Sequence, residues 1–253
     1  MDNGQLIMLR HVSRLLQWTA AQELTVLLSL LLVSAGTWGF IALAGEVVEG
    51  DTEEFDKRIL QALRQPNDPS QPMGPEWLSE LSRDITSLGG VGVLSLITAM
   101  VAGYLYLDKR KTALLFLLAA TASGFWLGYF LKLAFGRERP DIELHLAVVD
   151  SPSFPSGHSM MSAIVYLTLG TLLARLVVQR RLKLYCLSVA VVLTGLIGMS
   201  RVYLGVHYPT DVLAGWTAGL VWATLCWLLA RGLQRQRGEI KSRRPEKVKS
   251  RRV

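Results

Sequence analysis

The chain has 253 residues, of which 51% are hydrophobic and 19% are charged, and its mean hydropathy is +0.33. Soluble domains usually carry about 25% charged residues, so this composition favours a protein that crosses a membrane several times. The apolar content excludes intrinsic disorder. Only two cysteines are present, Cys186 and Cys226, and both lie inside apolar runs, which excludes a disulfide scaffold.

The net charge of +7 comes from one segment of the chain. Residues 232–253 contain nine Lys or Arg and two Glu, and the rest of the chain has equal numbers of basic and acidic side chains. A basic segment directly after an apolar run is typical of a cytoplasmic tail near anionic lipid headgroups. It lacks the aromatic residues of a single-strand nucleic-acid binder. We therefore predict a membrane domain over residues 1–231 and a disordered cytoplasmic tail over 232–253, with the lipid bilayer and no nucleic acid as partner.

Six segments are long and apolar enough to cross a hydrocarbon core of about 30 Å as helices. Basic residues precede the first segment, follow the second, fourth and sixth, and are outnumbered by acidic ones in the first connection. The positive-inside rule then predicts an inner-membrane protein with both termini in the cytoplasm. Ala42-Leu43-Ala44 resembles a signal-peptidase site, but the preceding segment is long for a signal peptide, so we expect an uncleaved helix. The predicted spans are Leu24–Val48, Leu88–Leu107, Ala113–Phe135, Ser159–Val178, Leu184–Leu204 and Asp211–Ala230.

The first connection is long for a link between two membrane helices. Apolar residues recur at helical spacing within 53–64, which predicts a short amphipathic helix on the membrane surface. Several prolines then interrupt the pattern, and a second short helix is predicted over 76–86. Two roles fit this connection equally well: a cap packed over the bundle, or a wall that guides a lipid tail.

Two clusters of reactive residues lie around the third connection. Lys132 and Arg139 are found at the outer end of the third span, where a cation either snorkels to the interface or serves a site. Pro155-Ser156-Gly157-His158 precedes the fourth span. Ser156 and Gly157 at a helix N-terminus are expected to offer free backbone N–H groups to an anion. His158 can carry a proton there.

A third cluster surrounds the fifth connection and completes a set on one face of the membrane. Arg201 ends the fifth span, and His207 precedes Asp211 by four residues, so that the carboxylate can hold one ring nitrogen and leave the other free. Three cations suit a phosphate group, and two histidines suit nucleophilic attack and proton transfer. The flanking Arg137 and Glu138 are expected to be solvated.

No carboxylate cluster suits Mg²⁺ and no nucleotide-binding loop is present. The residues therefore predict phosphoryl transfer without a metal or another cofactor, with fixed cations in the metal's role.

Three motifs together resemble the three-part signature of the type 2 phosphatidic acid phosphatases, the PAP2 or lipid phosphate phosphatase superfamily. They are Lys132-x₆-Arg139-Pro140, Pro155-Ser156-Gly157-His158 and Ser200-Arg201-x₅-His207-x₃-Asp211. The resemblance implies an all-α bundle of six transmembrane helices with an outward-facing active site. It also implies a role for each residue: His207 as the nucleophile that forms a phosphohistidine, Asp211 as its orienting carboxylate, His158 as general acid and then base, and Lys132, Arg139, Arg201, Ser156 and Gly157 as phosphate ligands.

Two other functions compete with a lipid phosphatase. A transporter or anion-binding membrane protein would use the same charges without turnover, but the inverted repeats or broken helices that favour it are absent from the sequence. A vanadate-dependent haloperoxidase shares the signature on a soluble scaffold, which six spans argue against. Undecaprenyl pyrophosphate, phosphatidylglycerophosphate, phosphatidic acid and lipid A phosphates all fit the motifs, and an outward-facing site favours undecaprenyl pyrophosphate. The oligomeric state is not predicted.

Overall fold

The computed structural model describes residues 3–140 and 151–243, with side chains for 23–140 and 151–236. Within these ranges it is a helical bundle with one small hairpin. The long helices are α1 (Asn3–Glu49), α4 (Val91–Leu107), α5 (Lys111–Phe135), α6 (Gly157–Leu176), α7 (Arg180–Tyr203) and α8 (Pro209–Arg243). The connection between α1 and α4 contains α2 (Glu53–Ala62), β1 (Arg64–Gln65), β2 (Asp68–Pro72) and α3 (Glu76–Ser87).

The second membrane span differs from the prediction. Five helices are individually long and apolar enough to cross a membrane: Glu23–Glu49 of α1, all of α5, α6 and α7, and Pro209–Gln236 of α8. Helix α4 has 17 residues and rises about 26 Å, less than a hydrocarbon core of about 30 Å. It passes the same test only together with α3, at an angle of 46° across a short break. The predicted span Leu88–Leu107 therefore contains only the break and α4, and a second span of full length needs α3 as well.

The boundary of the predicted tail also needs correction. Helix α8 continues without a break to Arg243, so residues 232–243 are helical where disorder was predicted. Their polar side chains do not stop the helix, since Gln, Arg, Glu and Lys are good helix formers. Residues 244–253 lie outside the described part of the chain.

Short turns join α4 to α5 and α6 to α7, so these neighbours run in opposite directions. The bundle therefore has two ends. We call the end with Phe135, Gly157, Tyr203 and Pro209 the site end. The end with Lys109–Lys111 and Arg180–Lys183 is called the basic end.

Helix α6 is the centre of the bundle and packs against α4, α5, α7 and α8. Two glycines of α8, Gly215 and Gly219, bring it unusually close to α6. A Cβ added at Gly215 would lie 2.7 Å from the Ser156 carbonyl oxygen, and one at Gly219 would lie 2.6 Å from that of Met160. Small residues four apart allow backbones to approach in membrane bundles. This contact fixes the first turn of α8 against the first turn of α6.

An aromatic cluster anchors the chain just before α6. Phe154 is fully buried, with its ring centroid 5.0 Å from that of Phe135 and 6.0 Å from that of Phe40. Edge-on and tilted ring pairs of this kind add to the energy of apolar burial. The segment 151–156 is thereby held against α1 and α5 at the site end.

The connection between α1 and α4 confirms both predicted short helices and adds a hairpin. Strands β1 and β2 pair antiparallel with an irregular register, which the prolines of this segment obscured in the sequence. The Arg64 guanidinium donates to the Tyr203 carbonyl at 2.9 Å, and the Tyr203 hydroxyl donates to the Met73 carbonyl at 3.0 Å. The connection is therefore packed on the end of α7, as the cap hypothesis expects.

The close contact between α6 and α8 generates a prediction about Gly215→Ala. The added methyl group would clash with backbone atoms, and overpacking of this kind costs about 1–3 kcal/mol. We expect a lower melting temperature in detergent together with a loss of the activity that the sequence predicts. Gly103→Ala in α4 is the matched control, because a Cβ there meets nothing within 4 Å. Equal behaviour of the two variants would contradict the role given to this contact.

Candidate active site

The site end brings together all three clusters that the sequence singled out. Lys132 lies in the last turn of α5, and Arg139 in the segment after it. Gly157 and His158 begin α6 behind the N-cap Ser156. Arg201 lies in the last turn of α7, and His207 and Asp211 flank the start of α8.

His207 and Asp211 form the predicted pair. The Nδ1 atom of His207 is 3.4 Å from Oδ2 of Asp211, and both side chains are buried. Gly205, with φ of 70°, forms the turn between α7 and His207. The backbone N–H of Tyr208 donates to the same Asp211 oxygen at 3.0 Å. A carboxylate at Nδ1 fixes the proton there, so Nε2 carries the free electron pair.

The environment of His207 keeps its imidazole neutral. Burial lowers the pKa of His207 well below its usual value of 6.5, and the charges of Arg139, Arg201 and Lys132 and the nearby His158 lower it further. Nε2 of His207 lies 3.2 Å from a terminal nitrogen of Arg139. A neutral imidazole can accept a hydrogen bond at Nε2 and can also act as a nucleophile there.

Carbonyl and hydroxyl oxygens of the segment before α6 hold two of the cations. The Lys132 ammonium donates to the Pro152 carbonyl at 2.6 Å and to the Ser151 hydroxyl at 3.2 Å. The Arg139 guanidinium donates to the carbonyls of Ser151, at 2.6 Å, and Val206. Neutral oxygens orient these groups without neutralising them, so their positive charge remains available to an anion.

Arg201 is the cation whose bonding is least complete. Its side chain is deeply buried, with the residue 3% exposed, and one terminal nitrogen donates to the Thr86 hydroxyl at 3.1 Å. Its Nε is buried and has no hydrogen-bond partner among the described residues. Lys132 and Arg201 also form no ion pair within the part of the chain that the structure describes. A buried guanidinium without its full set of acceptors indicates a site for an anion.

The backbone at Ser156 corrects one expectation from the sequence. Its N–H is not free for an anion, because it donates to the Asp211 carbonyl at 3.0 Å and so joins α6 to α8. The Ser156 hydroxyl caps α6 by accepting from the Ser159 N–H at 3.5 Å and the Ser159 hydroxyl at 3.0 Å. The N–H of Gly157, in the first turn of α6, has no carbonyl acceptor within the helix. An anion site here therefore depends on Gly157 and the Ser156 hydroxyl hydrogen.

Glycines at the bend between α3 and α4 form the wall beside His158. A Cβ on Gly89 would lie 3.3 Å from Cδ2 of His158 and 2.5 Å from a methyl group of Ile197. A Cβ on Gly90 would lie 3.9 Å from Nε2 of His158. The bent pair therefore approaches the imidazole more closely than larger residues would allow.

Sequence reasoning missed a buried ion network behind Asp211. Arg137, which was expected to be solvated, donates to Oδ1 of Asp211 at 2.7 Å and to Oδ2 of Asp56 at 2.8 Å. Asp56 is fully buried and accepts from the Thr210 hydroxyl at 2.5 Å and the Thr210 N–H at 3.1 Å. Asp56 therefore acts as a capping carboxylate for α8 that is supplied from α2. The neighbouring Glu138 is exposed, as expected.

The two carboxylates set the electrostatic state of Arg137. Burial alone would lower its pKa, but the charges and hydrogen bonds of Asp211 and Asp56 outweigh burial and raise the pKa of Arg137 above its ordinary value. Its guanidinium also lies over the Tyr208 ring, 4.3 Å from the centroid. Arg137 is therefore a fixed positive charge that keeps Asp211 in place under His207.

A comparison with known proteins identifies the family. A family model of the PAP2 superfamily matches residues 113–235. Phosphatidylglycerophosphatase B of Bacillus subtilis (strain 168) is 36% identical over 187 residues, which cover 72% of this chain and 86% of that protein. The chain belongs to the PAP2 superfamily. Decaprenylphosphoryl-5-phosphoribose phosphatase of Mycobacterium tuberculosis is 28% identical over 159 residues, covering 62% of this chain and 82% of the relative.

Two solved structures have the same fold. The crystal structure of the first transmembrane PAP2 type phosphatidylglycerolphosphate phosphatase, from Bacillus subtilis, matches with a TM-score of 0.71 at 29% identity, over 81% of this chain and 96% of that one. LpxE of Aquifex aeolicus matches with a TM-score of 0.51 at 23% identity, over 67% of this chain and 91% of the other. The protein is an integral membrane lipid phosphatase of the PAP2 superfamily, as the sequence predicted.

The Asp56–Arg137 pair can be tested with Asp56→Asn. The change leaves Arg137 with one carboxylate and removes charge from the cap of α8. Losing one partner of a buried ion pair costs about 3 kcal/mol or more, so we expect a clear drop in melting temperature and at least a tenfold loss of activity.

Glu54→Gln is the control for this variant, because it makes the same change on α2 at an exposed pair with Arg58. Exposed pairs contribute little to stability. If Asp56→Asn behaved like this control in melting and phosphate release, the network would have no role in holding the site.

The depressed pKa of His207 predicts a pH effect on stability. Below about pH 6.5 the unfolded chain protonates this histidine while the folded chain does not, so the unfolded state binds more protons and stability falls as the pH drops. His207→Asn removes this contribution. Between pH 7 and pH 5 the wild type should lose more melting temperature than the variant, and an equally steep loss in both would show that His207 titrates normally.

Proposed function

We propose that this protein hydrolyses a lipid phosphomonoester through a phosphohistidine on His207. The proposal rests on a buried, neutral His207 that lies beside Arg139. The incompletely bonded Arg201 and the Lys132 ammonium also lie close enough to His207 to affect its charge. Such a site is positive, and it offers one nucleophilic nitrogen. Phosphate fits both properties.

The first half of the reaction forms a bond between Nε2 of His207 and phosphorus. Lys132, Arg139 and Arg201 neutralise the non-bridging oxygens, with Gly157 N–H as a further donor. The bond from phosphorus to the lipid oxygen breaks, and His158 donates a proton to that oxygen as it leaves. The negative charge of a bound phosphate beside His158 favours the protonated imidazole that this step needs. Asp211 stabilises the positive charge that develops on the ring of His207.

The second half releases inorganic phosphate. His158, now neutral, takes a proton from a water molecule as its oxygen attacks phosphorus. The bond from phosphorus to Nε2 breaks, and the electron pair returns to His207, which becomes neutral again. In this mechanism the fixed cations perform the charge stabilisation that metal ions perform in many other phosphatases.

The relatives favour a particular class of substrate. Their names describe phosphatases for phosphatidylglycerophosphate and for decaprenylphosphoryl-5-phosphoribose. Both of those lipids carry a terminal phosphomonoester on a hydroxylated headgroup, which a phosphodiester joins to the lipid. We assign this chemistry to the present protein, with phosphatidylglycerophosphate first. Undecaprenyl pyrophosphate, which the sequence favoured, remains an untested alternative substrate.

A panel of lipids tests substrate and mechanism together. Phosphatidylglycerophosphate, phosphatidic acid, undecaprenyl pyrophosphate and a lipid A phosphate are compared at equal mole fraction in detergent, with and without EDTA. We expect the highest kcat/KM on phosphatidylglycerophosphate, no effect of EDTA, and less than a thousandth of the activity in His207→Asn. Preference for the pyrophosphate would overturn the substrate assignment, and EDTA inhibition reversed by Mg²⁺ would overturn the metal-free mechanism.

Orientation in the inner membrane is the last part of the proposal. The charge asymmetry between the two ends supports a cytoplasmic basic end, and hence a site end that faces outward. A lipid with its headgroup in the outer leaflet then reaches the cations without crossing the bilayer.

Single cysteines test this orientation in a background without Cys186 and Cys226. Asn67→Cys in the hairpin and Gln179→Cys before α7 are both at exposed positions. A membrane-impermeant thiol reagent should label the first in spheroplasts and the second only after lysis. The reverse pattern would put the chemistry on the cytoplasmic face.

A further inference from the structure

The basic end contains a cavity that is remote from the active site. Its volume is about 390 Å³, and it lies between the ends of α4, α5 and α6 and the side of α8. Four cationic side chains line it: Lys109, Arg110, Lys111 and Arg175. Arg110 is paired with Asp108 of the adjoining turn, and the other three have no ion pair within the part of the chain that the structure describes. The other lining residues are mainly apolar. A cavity with this lining is suited to an anion that is attached to an apolar group.

A groove of about 370 Å³ continues from this cavity along the lipid-facing side of α5 and α8. The two spaces share Thr112, Phe116, Ala230 and Gln234. The groove is almost wholly apolar and ends at Trp222, whose indole N–H donates to the Ser123 hydroxyl at 3.2 Å. The walls between these points include Leu115, Ala119, Leu225 and Leu229.

The length of the groove matches one leaflet of a bilayer. From Thr112 to Ser123 helix α5 rises about 17 Å. Half of a hydrocarbon core of about 30 Å is close to this value. The cations therefore lie at the depth of a headgroup, and the groove extends as far as an acyl chain of the same leaflet.

The backbone at Lys109 adds an independent observation. Lys109 has φ of 56°, in the left-handed region, within the three-residue turn that joins α4 to α5. Glycine adopts this conformation at less cost than a residue with a Cβ. The turn thus carries a cation at a position where its backbone geometry favours glycine, and this cation lines the cavity.

We propose that the cavity and the groove together bind one anionic glycerophospholipid. Its headgroup phosphate lies among Lys109, Lys111 and Arg175, and one acyl chain occupies the groove as far as Trp222. Basic pockets between transmembrane helices recognise anionic headgroups in this way. The site is separate from His207, so the proposal does not depend on the reaction at the other end of the bundle.

The test is retention of lipid by the purified full-length protein. Phosphatidylserine, an anionic diester without a phosphomonoester, is compared with phosphatidylcholine of the same chains by native mass spectrometry and by melting temperature. We expect the wild type to bind phosphatidylserine at least tenfold more tightly, with one tight site. His207→Asn should bind it equally well, which separates this site from the catalytic one.

Two pairs of variants localise the site. Lys109→Gly with Arg175→Gln removes two cations and relieves the turn, so weaker binding cannot be due to strain at residue 109. Each cation near a headgroup contributes roughly a fivefold effect, so phosphatidylserine binding should weaken more than tenfold. Arg180→Gln with Arg181→Gln removes the same charge at the basic end without touching the cavity lining, and should change binding less than twofold.

The groove is tested with Ala119→Trp, which fills it, against Leu118→Trp, which places the same ring at a neighbouring exposed position outside it. Only the first should abolish the tight site. The proposal would be overturned if the wild type bound the two lipids equally well. It would also be overturned if both charge variants, or both tryptophan variants, lost phosphatidylserine binding to the same extent.

Discussion

The geometry of this protein depends on one buried carboxylate. Asp211 holds Nδ1 of His207 on one side and the guanidinium of Arg137 on the other. Arg137 is in turn held by Asp56, which also caps the helix that carries Asp211. Isolated charges of this kind would be costly to bury, and they are tolerated because each has partners. The first connection is therefore part of the site: α2 supplies the carboxylate that closes the network.

On the side of His207 away from Asp211, positive charges are not balanced by carboxylates. Lys132 and Arg201 have no carboxylate partner among the described residues, and neutral oxygens hold Lys132 in place. Buried cations without counter-charges lower the stability of the folded protein when no anion is bound. The same arrangement gives a bound phosphate charge-assisted hydrogen bonds that need no reorganisation. Charge is thus compensated behind His207 and left uncompensated on the side where we propose that the substrate binds.

Hydropathy and motif spacing predicted most of the fold and most of the site. Six apolar segments predict helices because a bilayer admits few other structures. The meeting of the three clusters at one end of the bundle follows from the end of each helix at which they lie. The burial of Arg137 was not predicted, because it lies two residues before the motif residue Arg139 in a segment without helical periodicity. Asp56 looked like one of many acidic residues in a long connection. Its partners Arg137 and Thr210 are 81 and 154 residues away in the sequence, and no local pattern reports such pairings. Likewise, only the packing of α8 on α6 reveals that the Ser156 N–H is already bonded.

We propose that Asp211 leaves only Nε2 of His207 free to attack phosphorus. The most direct measurement is the site and isomer of the phosphoenzyme. His158→Ala with an aryl phosphate, whose leaving group needs little acid assistance, should accumulate the intermediate because the base for its hydrolysis is missing. After a quench in base, ³¹P NMR and peptide mapping should find the phosphoryl group on Nε2 of His207. A phosphoryl group on Nδ1 or on another residue, or turnover without any phosphoenzyme, would contradict the account.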